Sequence, residues 1–262
     1  MSAWNTLKLV DDGPHVATLV LNRPDRRNAI SREMAAELAA CAEQLHARPD
    51  LRALVVTGEG GAFCAGADLK ERAGSAAEPI RRQREGLLRC IELLEALPAP
   101  VIAMVDGPAF AGGFELALGC DIRIASERAS FALTEVRNAG SFPGGGGPVR
   151  LARLVGRGRA NYIVLSGRTF SAQEAFALGF VEQVVPTERL HDEARALAQR
   201  IAGSSPLGVR AAKQLIRRSQ DMDMQAAMDL SRALRDPLDA TRDAQEGIRA
   251  WMEKREPDFR GE

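Results

Sequence analysis

Two glycine-rich stretches hold the residue types in this sequence best placed to do chemistry. One reads Phe63-Cys64-Ala65-Gly66-Ala67-Asp68-Leu69, the other Gly107-Pro108-Ala109-Phe110-Ala111-Gly112-Gly113-Phe114-Glu115. Each follows a short apolar run and leads into a helical pattern. A backbone N–H at a helix start lacks an intrahelical acceptor and carries the positive end of the helix dipole, so it can hold an anion or a developing oxyanion. Two such loops brought together could aim two N–H groups at one carbonyl oxygen, which is the geometry of an oxyanion hole. Taken singly, each is an ordinary strand-to-helix turn, where glycine is common for conformational reasons.

Other chemistries lack their residues. The run Gly144-Gly145-Gly146-Gly147 continues into Pro148-Val149-Arg150, without the Lys-Ser/Thr ending of a phosphate loop, and on spacing alone it is a structural turn. There is no G-x-S-x-G elbow and no G-x-G-x-x-G after the first strand. His15, His46 and His191 are scattered, and so are Cys41, Cys64, Cys90 and Cys120. No metal is expected, and the cysteines are expected as buried free thiols in a reducing compartment.

The elements that must position the two loops follow from pattern. Residues 7–10 and 16–21 flank Asp11-Asp12-Gly13 as a hairpin. Ser31 can cap a helix whose apolar side is Met34, Leu38, Cys41 and Leu45, with Glu33 in its first turn. Residues 54–57 form a buried strand. A long helix follows, with Leu87, Ile91 and Leu94 on one face, and Pro98 and Pro100 end it. Residues 101–105 and 122–125 are further strands, with a short helix starting near Gly112 between them. Ser171-Ala172-Gln173-Glu174 is a capping box, Gly179 a helix C-terminus and residues 181–185 a strand. From Leu190 onward the pattern is helical only. The alternation predicts an α/β core with parallel pairing and a helical C-terminal region.

The 262 residues suit one large domain, or one domain with an appended lobe. Thirty-five basic and 35 acidic residues cancel, and only four of the basic ones are lysine. With no basic stripe, neither nucleic acid nor an anionic membrane surface is an expected partner. The N-terminus has no secretion-signal pattern and no apolar run is long enough to span a bilayer, which predicts a cytoplasmic location.

Set in order along the chain, these motifs resemble a known family. Asn22-Arg23-Pro24 with Asn28-Ala29, the Phe63 to Lys70 loop, and Gly112-Gly113-Phe114-Glu115-Leu116-Ala117 with Cys120-Asp121 are similar to the signature set of the enoyl-CoA hydratase/isomerase (crotonase) superfamily. Phe131 to Glu135, the glycine run, Ala172-Glu174-Ala175 and the tail from Glu246-Gly247 to Phe259 extend the likeness over nearly the whole chain. The resemblance implies a crotonase-like spiral of ββα units, with an acyl-CoA-binding core over 1–200 and a helical trimerisation region over 201–262. It implies an enzyme, a hydro-lyase adding water syn across the 2,3-double bond of a 2-enoyl-CoA thioester to give a 3-hydroxyacyl-CoA. Within it, Ala67 and Gly112 supply the oxyanion N–H groups, and Glu115 and Glu135 are the catalytic pair.

Arg27, Ala29, Ala65, Asp68, Leu69 and Lys70 are the implied CoA-binding residues, with Lys254 and Phe259 bordering a neighbour's site. No cofactor is implied, since coenzyme A belongs to the substrate, and the expected assembly is a trimer or a dimer of trimers. An enoyl-CoA isomerase, or a hydratase specialised for branched or cyclic acyl groups such as the methylglutaconyl-CoA type, is the alternative. A non-catalytic or RNA-binding member is disfavoured by the intact glutamate pair and the zero net charge. Thr134, where proline is common, and Pro148-Val149, where Thr-Gln is frequent, depart from the usual pattern. Phe114 and Phe142 are expected to flank the site, and the glycine run to form a side-chain-free wall near the acyl group.

Overall fold

The computed structural model describes residues 4–262. The hairpin β1 (Leu7–Asp11) and β2 (Val16–Leu21) forms as the turn signal predicts, antiparallel with Leu7 opposite Leu21. Next comes α1 (Arg32–His46), where the Ser31 side chain accepts from the Met34 N–H and Met34, Leu38, Cys41 and Leu45 are buried. It leads to β3 (Ala53–Gly58), the single turn α2 (Leu69–Arg72) and the long α3 (Ala77–Ala96). The chain then runs through β4 (Val101–Val105), β5 (Pro108–Phe110) and α4 (Gly112–Leu118), and through β6 (Ile122–Ser126), β7 (Ser130–Ala132) and α5 (Glu135–Asn138). After α6 (Gly147–Val155) and α7 (Arg157–Ser166) come β8 (Phe170–Ser171), α8 (Ala172–Leu178) and β9 (Gln183–Val185). The rest is helical: α9 (Leu190–Ala202), α10 (Pro206–Ser219), α11 (Met224–Arg235) and α12 (Arg242–Glu253).

Strand order β1-β2-β3-β4-β6-β9 gives one six-stranded sheet, parallel from β2 onward; β5, β7 and β8 form a second, smaller sheet. Turns of chain such as β4-β5-α4 and β6-β7-α5 each place one strand in the large sheet, one in the small sheet and a helix outside. The fold is therefore a spiral of ββα units. Both faces of the sheet's central strands are covered, which is why β3 and β4 are continuous apolar runs. Leu54 and Val56 face α1, α3 and α4, whereas Ala53 and Val55 face Ala194 and Ala198 of α9.

Two expectations change. The segment before Gly112 is not loop alone, because β5 pairs with β7 there, and β9 is shorter than residues 181–185. Strands of three residues have no alternation to read; tertiary pairing defines them. All four cysteines are buried and free. The Ser171–Glu174 capping box and the left-handed Gly179 are present as expected. Among the described residues, no helix is long and apolar enough to cross a membrane.

Candidate active site

Glu115 lies in the first turn of α4 and is 2% exposed. A buried carboxylate needs hydrogen-bond donors, and the glycine run supplies them. Glu115 Oε1 accepts the Gly145 N–H and the Gly147 N–H, both at 2.8 Å. Side chains are excluded there: a Cβ on Gly145 would stand 2.9 Å from Oε2, and one on Gly147 3.0 Å from Oε1. Gly146 between them takes the left-handed φ of 88°, which favours glycine. Arg150 props the run, donating to the Gly145 carbonyl at 2.7 Å while pairing with Glu95. Burial pushes the Glu115 carboxyl above its ordinary range, opposed by the two N–H groups and by Arg150.

Glu135 begins α5, and its Oε2 is buried with no hydrogen-bond partner. Burial, with the Glu115 charge adding to it, pushes this carboxyl up to about 7, against the pull of its own N–H and of Arg72. One carboxyl of the pair is therefore fixed by two donors, and the other has its Oε2 without a partner and is pushed up to about 7.

The two loops meet beside this pair. Gly66 has φ of 87°, and a Cβ on it would stand 2.7 Å from Ala111 Cβ and 3.3 Å from the Gly112 nitrogen. The Cys64 N–H donates to the Pro108 carbonyl and the Phe110 N–H to the Cys64 carbonyl, fastening the 64–67 segment to β5. The Ile30 N–H donates to the Gly66 carbonyl and the Asp68 N–H to the Ile30 carbonyl, so this pairing passes over Ala67. Ala111, a non-glycine residue at φ of 50°, sets the strained entry to α4. Among the described residues, neither the Ala67 nor the Gly112 N–H donates to a protein acceptor. Two unused amides on adjoining loops can take one oxygen between them.

The description "Enoyl-CoA hydratase/isomerase" belongs to the family model that matches residues 12–262. This chain belongs to the enoyl-CoA hydratase/isomerase family. A 2,3-dehydroadipyl-CoA hydratase of Escherichia coli is 40% identical over 254 residues, 97% of this chain and 98% of the relative. An enoyl-CoA isomerase/hydratase of Mycosarcoma maydis is 37% identical over 252 residues, 93% of this chain and 92% of the relative. The crystal structure of an enoyl-CoA hydratase from Bacillus anthracis superposes with a TM-score of 0.96 at 40% identity, covering 98% of this chain and 100% of the other. The chain is an enzyme of the enoyl-CoA hydratase family, built on its spiral fold.

The remaining residues singled out for this family member divide into two groups. Arg27, Ala29, Ala65, Asp68, Leu69 and Lys70 lie together, since the Ala65 N–H donates to the Arg27 carbonyl at 3.0 Å. Arg27, Leu69 and Lys70 are exposed. The Asp68 carboxylate is already engaged, capping α2 through the Glu71 N–H and pairing with Arg23 at 3.1 Å. Lys254 and Phe259 sit elsewhere, Lys254 ending α12 and Phe259 packing against Gly247 as the tail folds back.

Two further expectations are corrected. Phe114 does not flank the site; it is fully buried in an aromatic cluster, its ring 5.3 Å from Phe131 and 5.1 Å from Phe180, while Phe142 is 69% exposed. The glycine run closes on the Glu115 carboxylate, so it is more than a turn: its Gly145 and Gly147 N–H groups hold that carboxylate. Arg72, which acts on the Glu135 carboxyl, and Arg84, beside Gly144, are not singled out by the sequence. The only available signal was their spacing on helical segments, which does not distinguish them from solvated arginines.

Proposed function

We propose that this enzyme hydrates a 2-enoyl-CoA thioester, adding water syn across the 2,3-double bond to give a 3-hydroxyacyl-CoA. The observation that carries this reading is the juxtaposition of a held carboxylate and an unpartnered one beside two unused amides. The Ala67 and Gly112 N–H groups take the thioester oxygen, where enolate charge gathers during addition. Glu115 orients water and removes its proton for attack at C3, and Glu135 delivers a proton at C2. The addition is redox-neutral proton chemistry, so neither a metal nor a cofactor is required beyond the CoA carried by the substrate. Arg27 and Lys70 offer charge to the CoA phosphates. Ala29, Ala65, Asp68 and Leu69 shape the loop around it. The Escherichia coli relative, named for a dehydroadipyl thioester, supports a hydratase specialised for its acyl group over an isomerase.

Loss of the near-ultraviolet absorbance of a conjugated enoyl thioester tests the activity, and its pH profile tests the roles. In the active form Glu115 is ionised and Glu135 protonated. The two carboxyls titrate as a pair. We expect kcat/KM to fall on the alkaline side through an apparent pKa of about 7, where Glu135 loses its proton. A profile without that alkaline limb would contradict the assignment of Glu135 as the acid.

Residues 201–262 are proposed as the oligomerisation region of a trimer or dimer of trimers, with the site carried by 1–200. In the single chain α10–α12 leave large apolar side chains uncovered, among them Ile216, Met224, Ile248 and, 81% exposed, Trp251. In such an assembly Lys254 and Phe259 border a neighbour's CoA site. Sedimentation equilibrium at micromolar concentration should return a trimeric or hexameric mass; a monomer would contradict the proposal.

A further inference from the structure

Arg72 stands near Glu135 and Arg84 beside Gly144, both without an acidic partner among the described residues. Arg72 ends α2 and is half-buried. Its Nε donates to Oε1 of Gln83 at 2.6 Å, and Gln83, 3% exposed, is itself fixed by donating to the Ile30 carbonyl at 2.6 Å. Positioning therefore uses Nε alone and leaves both Nη groups of the fork uncommitted among the described residues. Arg84, on α3, is exposed, makes no ion pair there either and lays its side chain along Gly144, where a Cβ would stand 2.4 Å from Cδ. Arg23, Arg123 and Arg150, of comparable or greater burial, are tied to acids in Arg23–Asp68, Arg123–Glu182 and Arg150–Glu95. The half-buried Arg52 and Arg210 donate from an Nη to backbone carbonyls, whereas neither Nη of Arg72 is engaged among the described residues. Burial first, and then the Arg84 charge, hold the Arg72 guanidinium below its usual range, while Glu135 pulls it back up. Glu135 does not satisfy the fork, because its Oε2 has no hydrogen-bond partner.

We infer that Arg72, with Arg84 beside it, receives a carboxylate at the far end of the acyl group, which makes the substrate a mono-CoA thioester of a short unsaturated dicarboxylic acid. The inference rests on the hydratase reading, which puts the thioester oxygen at Ala67 and Gly112 and the reacting carbons at the glutamates. On that reading the remainder of the acyl group runs past Glu135, the carboxyl that Arg72 acts on. The reach also fits. A Cβ on Gly112 would stand 2.9 Å from Leu87 Cδ2, and Arg84 lies three residues before Leu87 on the same helix. Along the axis of α3, Arg84 thus lies one helical turn, about 5 Å, from the residue that packs at Gly112. A planar guanidinium with two free Nη groups matches a carboxylate in a bidentate pair, and the incoming negative charge relieves the repulsion between the two arginines.

The test compares adipyl-CoA with hexanoyl-CoA, saturated thioesters of equal length that bind without turnover, by calorimetric titration. The wild-type enzyme should bind adipyl-CoA about 10- to 100-fold more tightly, the range of a charge-assisted hydrogen-bonded pair. Arg72→Met should abolish most of that preference, Arg72→Lys should restore part of it, and Arg84→Met should give a smaller loss. Equal wild-type affinities would overturn the inference. So would an equal loss for both ligands in Arg72→Met, which would assign the guanidinium to the CoA phosphates. Should Arg72→Met fail to fold, the wild-type comparison and Arg84→Met still decide. Turnover of crotonyl-CoA by the wild-type enzyme is scored separately, so failure of the hydratase reading is distinguished from failure of this one.

Discussion

Replacing Glu135 by glutamine is expected to lower the rate of 2-enoyl-CoA hydration by about 10²- to 10⁴-fold, the usual contribution of a positioned general acid or base. Glutamine matches the shape of the side chain but cannot deliver the proton. Stability should move the other way above neutral pH. The folded-state pKa of about 7 is raised by burial, so the native state binds the proton more tightly than the unfolded chain. The contribution of this group is therefore complete below the unfolded carboxylate range and is lost as pH rises to about 7. Glutamine lacks that loss, so Glu135→Gln should unfold at a temperature no lower than the parent at alkaline pH. Glu115→Gln should show a comparable fall in rate, because its amide can still accept the Gly145 and Gly147 N–H groups but cannot remove a proton from water. Near-parental turnover in either variant would sink the role given to that glutamate.

The second large effect is expected from a residue with no side chain. In Gly145→Ala the new Cβ would stand 2.9 Å from Glu115 Oε2, too close for the carboxylate to remain where it is. The carboxylate must turn, loosening the two N–H bonds that aim it. A misplacement of about 1 Å at a reacting group can cost about 10²-fold in rate. We therefore expect kcat to fall about 10²-fold with KM for the enoyl-CoA little changed. A variant with parental kcat would show that the glycine cradle does not position Glu115.

The large sheet was readable from sequence because its central strands are buried on both faces and the helices around it carry their own caps and stops. Ser31, Pro98, Ser171 and Gly179 each mark an end by local chemistry, and each is found in that role. The loops around Gly66 and Gly112 were identifiable because a tight strand-to-helix turn demands glycine locally. Their closeness was not, since nothing in the 64–67 segment says that Cys64 will pair with Ala109. The same limit hid the function of the 144–147 run. Its partner, Glu115, lies 30 residues away from Gly145 in sequence, and backbone N–H groups leave no side-chain signature. Arg72 and Arg84 escaped notice for a related reason: in a chain so rich in arginine, only the fold reveals which cations lack an acid.

On the function proposed, two carboxyls and two amides of this chain add water to an enoyl thioester. Incubation of the wild-type enzyme with crotonyl-CoA in heavy water, followed by mass and NMR analysis of the product, tests it most directly. We expect 3-hydroxybutyryl-CoA carrying one deuterium at C2, placed on the same face as the new hydroxyl. Recovery of a thioester with a shifted double bond and no added water, or of unchanged crotonyl-CoA, would contradict it.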